Sequence, residues 1–441
     1  MSFHPERLLP ELQCLPEEPL AWVALSGGLD SVVLLTALTR LRSQLPFELR
    51  AVHVNHDLNP KSGEWQRQCE ELCRKLAVPL LSRRIQVKPA KGESLEAVAR
   101  DGRYAVFDAL LAQGGLLLLA HQEDDQAETF LLQALRGAGV RGLASMPVQA
   151  PFSGGTLARP LLGFSREELR DWAVAERLIW IEDPSNADTG FDRNFLRHEV
   201  MPIIKHRWPG AAVTLSRGAR LAAEADALLQ GMAAEDYARA GGGVTLPLEP
   251  LRALPEARQR NLLRFWLHQR GLPLPTVHKL DELLRQLGAA GDRNPCVDWP
   301  GAEVRRYRQQ LYAQPPFPPT PAGFRLNPGE DHSLGTGLGA LRLVPATGEG
   351  IRASLCGPAG LSVGFRSGGE DCRPAGRAHH RPLKKWLQDL HVVPWLRGRL
   401  PLIHADGELL AVAGLFVCEP HAAKAGEAGL RIEWREAPAL H

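Results

Sequence analysis

The stretch from Trp22 to Leu38, WVALSGGLDSVVLLTAL, constrains the fold more than any other part of the chain. Trp22 to Leu25 is a short apolar run that reads as a buried strand. Ser26, Gly27, Gly28, Leu29, Asp30 and Ser31 form a turn of small and polar residues, and Val32 to Leu38 reads as a helix. Glycines let a backbone turn tightly and approach an anion with no side chain in the way. The first N–H groups of the helix lack intrahelical partners and point at that anion. Ser26 and Ser31 add hydroxyl donors. A carboxylate repels a bare phosphate, so Asp30 calls for Mg2+ between the two. No Lys follows the glycines, which excludes a Walker A loop, and G-x-G-x-x-G is absent.

The same alternation continues downstream. Glu48 to Asn55 (ELRAVHVN), Leu80 to Val87 and Leu116 to Ala120 read as strands. Gly63 to Leu76, Ser94 to Ala112 and His121 to Leu135 read as helices, with Ser94 as an N-cap. A βαβαβαβ order implies an α/β, doubly wound parallel sheet with helices on both faces. Ligands of such sheets bind beyond the carboxyl ends of the strands. Three polar clusters fall at three of those ends: Ser26 to Ser31, His53 to His56, and His121 to Glu128.

The third cluster, HQEDDQAE, is the most informative. Asp124 and Glu128 stand four apart and share a helix face, a like-charge spacing that needs compensation by Mg2+ or a substrate ammonium. A solvated acidic first turn, favoured by the helix dipole, is the plainer alternative. Glu96, Arg100 and Arg103 recur on one helix face, either as an ion-pair ladder or as a phosphate clamp. His53 and His56 are equally open to ligand and structural roles.

The turn Ser26 to Ser31 resembles the signature loop of the N-type ATP pyrophosphatases. Further on, VHVNHDL, then E-x-x-A-R-x-x-R-Y from Glu96 to Tyr104, AHQEDDQAET, LRGAGVRGL, WIEDPSN and RNFLR follow in order. This ordered set resembles the tRNA(Ile)-lysidine synthetase family over roughly residues 20–205. The resemblance implies that ATP adenylates the C2 oxygen of the wobble cytidine in a CAU-anticodon tRNA(Ile), and that free L-lysine then displaces AMP. It places Ser26, Gly27, Gly28, Leu29, Asp30, Ser31, His53 and Asn55 around ATP. Asp30 and Asp125 become candidate Mg2+ ligands. Asp30, His121, Asp124, Asp125, Glu128 and Arg193 become the catalytic set, and Arg100, Arg103 and Arg197 substrate contacts. His121 or a neighbouring carboxylate takes the proton from the attacking amine. One departure stands out: the family usually has a second histidine where this chain has Gln122.

The length of 441 residues calls for two or three domains. The expected boundaries are a catalytic domain over 1–207, a helical tRNA-binding domain over 208–315, and a Pro-rich linker with a small basic α+β domain over 316–441. Arg193, Arg197, His198, Lys205, His206 and Arg207 form a basic run that can receive tRNA phosphates. In the last domain, F-R-S-G-G-E-D and R-P-L-K-K-W-L-Q-D resemble the C-terminal module of the same family. Arg366, Arg373, Arg377, Arg381, Lys384, Lys385, Arg397 and Arg399 are dense there, and Trp386 and Trp395 are expected in its core. The distal domains are expected to read the tRNA body.

A net charge of +2 gives no global nucleic-acid signal, so any basic surface is local. Seven scattered cysteines without a C-x-x-C pair argue for free thiols in a reducing cytosol. They also argue against the alternative of a tRNA-thiolation enzyme of the same superfamily, because Cys69 and Cys73 fall on a helix expected away from the strand ends. A GMP-synthetase-like ligase would need a glutaminase domain. A non-catalytic tRNA-binding protein would not need Asp30, Ser31 and the Asp124–Asp125 pair. No signal peptide or membrane-spanning run is evident, so a cytoplasmic protein is expected. The oligomeric state is open, a homodimer being one option.

Overall fold

The structure, a computed structural model, describes residues 2–87, 95–288, 295–438 and 440. The expected cap Ser94 lies outside the described residues. The chain divides into two compact units, Met1–Leu228 and Leu229–His441.

The first unit is built on six strands: β1 (Leu20–Ala24), β2 (Glu48–Asn55), β3 (Leu80–Arg84), β4 (Leu116–Leu118), β5 (Gln149–Phe152) and β6 (Gly155–Ala158), in the order β3-β2-β1-β4-β6-β5. Every pairing is parallel except the β5–β6 hairpin at one edge. That hairpin extends the four strands expected from the sequence. Its residues are short and half-exposed, so they carry no apolar run to read.

The helices are α1 (Leu9–Gln13), α2 (Leu29–Arg40), α3 (Ser62–Lys75), α4 (Leu95–Leu111), α5 (Glu123–Leu135), α6 (Val140–Leu143) and α7 (Arg166–Ala175). They cover both faces. Ala21 and Val23 of β1, with Leu116 and Leu118 of β4, bury against Val32, Leu35 and Leu38 of α2, Cys69 of α3 and Trp172 of α7. The alternate residues Trp22 and Leu117 bury against Phe107 and Leu111 of α4 on the other face. Burial on both faces is why these strands are apolar throughout rather than alternating. Chain order runs outward from β1 through β2 to β3, then returns to the other side at β4. This reversal opens a crevice between the carboxyl ends of β1 and β4, where such sheets bind ligands.

Beyond α7 the chain makes α8 (Asp192–Phe195), a π-helical turn (Leu196–Val200), α9 (Met201–Arg207) and the long α10 (Ala211–Arg239). Ala127 of α5, Met201 and Ala212 pack together, which returns this segment to the strand-end crevice. Among the described residues, no helix is long and apolar enough to cross a membrane.

In the second unit, α11 (Leu248–Arg252), α12 (Glu256–Gln269) and α13 (Val277–Gly288) pack on a four-stranded antiparallel sheet of β7 (Leu246–Pro247), β8 (Cys296–Trp299), β9 (Ala302–Tyr307) and β10 (Gln310–Gln314). Leu262, Leu263, Trp266 and Leu267 meet Val297, Val304 and Leu311 in its core. The expected helical stretch therefore contains a sheet. Antiparallel five-, four- and two-stranded sheets follow, with one α-helix among the described residues, Leu383–Asp389. Trp386 and Trp395 are both buried. Aromatic packing spans the Pro-rich segment at 315–321. Trp395 lies edge-on to Tyr312 and Tyr307 across it, at ring-centroid distances of 5.2 and 6.3 Å.

Candidate active site

The loop after β1 is held by its own serines. The Ser26 and Ser31 hydroxyls lie 3.1 Å apart. Ser31 Oγ accepts from Gly27 N at 3.2 Å and donates to Gly28 O at 2.9 Å, while Ser26 Oγ accepts from Gly28 N at 3.3 Å. These bonds leave the first-turn N–H groups of α2, at Leu29, Asp30 and Ser31, for an anion. Gly27 has φ +87°, and a Cβ there would stand 2.3 Å from Ile181 Cδ1. Only glycine fits, because the W-I-E-D segment closes over the loop and Ile181 N donates to Gly27 O at 2.9 Å.

Asp30 projects from the first turn of α2. Its Oδ1 is buried and has no hydrogen-bond partner. Burial, then the neighbouring Asp125 carboxylate, pushes its carboxyl up to about 7. A buried carboxylate oxygen without a donor fits a cation. Among the described residues, no three His, Cys, Asp or Glu side chains gather as a metal cage. Mg2+ does not need one, since it is commonly held by one or two carboxylates together with substrate phosphates and water.

At the end of β4, the expected helix from His121 starts two residues later, at Glu123, with Gln122 as its N-cap. Its side chain accepts from Asp124 N, and its N–H donates to Asp125 Oδ2 at 3.1 Å, a reciprocal capping box. This gives the departure at Gln122 a structural role that needs no charge. The acidic face of α5 is compensated from within the chain. Asp125 Oδ1 accepts from Arg193 and Arg197, both at 2.8 Å. Glu128 accepts from Arg197 Nε and Nη2 at 2.8 Å each and from Arg193 Nε at 3.1 Å. Lys205 pairs with Asp124, whose second oxygen accepts from Arg166 N at 3.0 Å. The sequence expectation gave this compensation to Mg2+ or a substrate ammonium. In the structure, Lys205 pairs with Asp124 and arginines 65 to 72 residues away pair with Asp125 and Glu128. Burial alone would raise the Asp125 carboxyl, but Arg193 leads the groups that hold it below its usual range.

Family models place the chain. The PP-loop domain matches residues 6–204, the TilS substrate binding domain residues 246–312, and the TilS substrate C-terminal domain residues 361–434. The tRNA(Ile)-lysidine synthase of Coxiella burnetii is 41% identical over 435 residues, covering 98% of this chain and 96% of that one. That of Alkalilimnicola ehrlichii is 43% identical over 430 residues, covering 96% and 95%. The chain belongs to the tRNA(Ile)-lysidine synthase family. Among solved structures, the U34-tRNA thiolase NcsA of Methanococcus maripaludis is 16% identical, with a TM-score of 0.43, over 49% of this chain and 77% of that one.

Other residues singled out in this lysidine synthase relative take several places. His53 is buried, with Nδ1 2.8 Å from Leu25 O, and burial holds its imidazole below the usual value. Asn55 is consumed by the turn after β2: it donates to Gln66 Oε1 at 3.0 Å and accepts from Asp57 N at 2.9 Å. Burial pushes His121 down to about 4 against the pull of Asp125, with Arg159, Arg193 and Arg103 adding to the effect, so it is neutral at pH 7. Its Nδ1 has no partner. Arg103 acts on both His56 and His121, which puts it at the crevice. Arg100 lies over Tyr104, 5.2 Å from the ring centroid.

Cys69 is not remote from the strand ends, as the sequence suggested. A Cβ on Gly27 would lie 3.0 Å from its Sγ. Burial pushes that thiol up to about 12 and Cys73 to about 11, so neither is a thiolate near neutrality. Sequence reasoning missed Lys205 as a partner of Asp124, and it missed Arg159. The signal for Arg159 was its place at the end of a strand, hidden because β6 was not recognised.

Proposed function

We propose that this protein uses ATP to join free L-lysine to C2 of the wobble cytidine of tRNA(Ile) with a CAU anticodon, through an adenylated cytidine. Lysidine at that position changes the codon read from AUG to AUA. One observation carries the reading. The phosphate-binding loop with the unpaired Asp30 oxygen, and the His121 to Glu128 turn, meet at the two strand ends flanking the switch point. Membership of the family, at about two-fifths identity over nearly the full chain, supports it.

The roles follow from the chemistry. The free N–H groups of the α2 first turn and the Ser26 hydroxyl bind the polyphosphate of ATP. Asp30 would hold Mg2+, which would neutralise charge on the pyrophosphate group as it leaves. Asp125 is already shared by two guanidiniums, so its part is to fix Arg193 and Arg197, and Asp30 is the stronger candidate ligand. Lysine must arrive as a free amine. Neutral His121, with Nδ1 unpartnered, is placed to hydrogen-bond that amine and orient its lone pair.

The experiment that tests this is AMP release from ATP with and without unmodified CAU tRNA(Ile) and lysine. AMP formation that needs the tRNA, with lysine then appearing in the RNA, supports the reading. AMP formation supported by a sulfur donor instead of lysine would overturn it in favour of thiolation, which the high thiol values of Cys69 and Cys73 disfavour.

A further inference from the structure

Arg159 follows β6 directly, beside the Leu119–His121 turn, with Leu119 N donating to Ala158 O at 2.9 Å. It is a half-buried cation whose partners among the described residues are neutral. Nη1 donates to Pro147 O at 2.8 Å, the guanidinium lies against the Tyr104 hydroxyl, and Nε is buried without a partner. Arg100, which rests on the Tyr104 ring, acts on it with the same sign of charge. That ring is itself fixed edge-on by Phe107 and Phe152, each at 5.8 Å. A buried charge without a counter-ion is costly and persists where a ligand supplies the opposite charge. The contrast with Arg193 and Arg197 is direct, since their charge is spent on Asp125 and Glu128.

We propose that Arg159, with Arg100 across Tyr104, binds a phosphate of the RNA strand next to the target nucleotide. This rests on the function proposed above and adds a residue to it. The shared chemistry is a phosphate oxyanion, which ATP also carries. Position separates the two sources. The nucleotide loop leaves β1 and Arg159 leaves β6, two strand spacings or about 10 Å apart in the sheet. A base reacting beside ATP would occupy the space between them, with its flanking phosphates toward Arg159. Because the phosphate carries no sequence information, this contact orients the anticodon loop and does not select it.

The test uses the full chain. Arg159→Gln, Arg159→Lys and Arg100→Gln are compared with wild type for affinity to unmodified CAU tRNA(Ile) across a salt series, and separately for ATP KM at saturating tRNA. Wild-type lysidine formation in the same preparation checks the underlying function independently. Arg159→Gln is expected to weaken tRNA binding about tenfold and to flatten the slope of log affinity against log salt by about 0.7 to 1. ATP KM should be unchanged, and Arg159→Lys should keep the slope. Arg100→Gln, at an exposed position, should give a smaller shift of the same sign even if Arg159→Gln folds poorly. Unchanged tRNA affinity and salt slope in both Gln variants would overturn the proposal. So would a raised ATP KM with tRNA binding intact, which would assign the phosphate to the nucleotide.

Discussion

Replacing Asp30 by asparagine should make the protein more stable and inactive at once, and the gain should depend on pH. The Asp30 carboxyl is raised from 3.8 to about 7 by burial and by Asp125. The folded state thus binds a proton that the unfolded chain has released, and stability falls as pH rises between those values. Below about pH 4 both states are protonated and the penalty vanishes; above about pH 7 it is complete. Each unit in that window is worth about 1.4 kcal/mol. Moving from about pH 5.5 to pH 8 therefore adds about 2 kcal/mol to the penalty in wild type. The amide introduced by Asp30→Asn does not titrate, so the variant's advantage over wild type should widen by that amount. For a unit of this size it corresponds to about 4–8 °C in Tm. The assay is thermal unfolding of both proteins without divalent ions at the two pH values, read as the difference between variants, so that other titrating groups cancel. Adding Mg2+ at pH 8 with ATP should raise wild-type Tm and leave Asp30→Asn nearly unmoved. A Tm difference that is independent of pH, or an Asp30→Asn variant less stable than wild type at pH 8, would refute the account of Asp30.

Three further outcomes follow from the same geometry. Glu128→Ala leaves Arg197 without its bidentate partner and should destabilise the first unit by about 3 kcal/mol or more, whereas Glu128→Ala combined with Arg197→Met should recover part of the loss; strictly additive losses in a denaturation cycle would contradict the pairing. Gln122→Ala removes the N-cap of α5 and should cost about 1 kcal/mol, while Gln122→Asn or Gln122→His should cost less, and equal costs would deny Gln122 its capping role. Truncation at Pro315 strips Trp395 from Tyr312 and Tyr307, so the remaining part of the second unit should show exposed aromatic surface and dye binding; a well-folded truncation product would show that the packing across the linker is dispensable.

The sequence carried the elements whose signal is local. An apolar run at Trp22 to Leu25, the glycines after it and the acidic turn after Leu116 to Ala120 each announce their structure within a few residues. Within the domain expected to be helical, α12 carries an apolar stripe of Leu262, Leu263, Trp266 and Leu267, and that stripe is core. What was not legible depends on distance along the chain. Nothing near Asp125 indicates that Arg193 and Arg197 will fold back onto it, since α8 and the π-helical turn that carry them set their approach. The same holds for Lys205 and Asp124. β5 and β6 are too short and too exposed to declare themselves, and Arg159 was hidden with them. Cys69 looked distant because helix α3 was placed by sequence order, while packing sets it under Gly27.

The most direct measurement is incorporation of labelled lysine into an unmodified CAU tRNA(Ile) transcript, with ATP and Mg2+, for wild type and Asp30→Ala. Labelled RNA that requires ATP and is lost in Asp30→Ala, with the label at the wobble cytidine, is the expected result. Labelled RNA formed equally well by Asp30→Ala, or AMP release from that tRNA with no lysine incorporated, would contradict it.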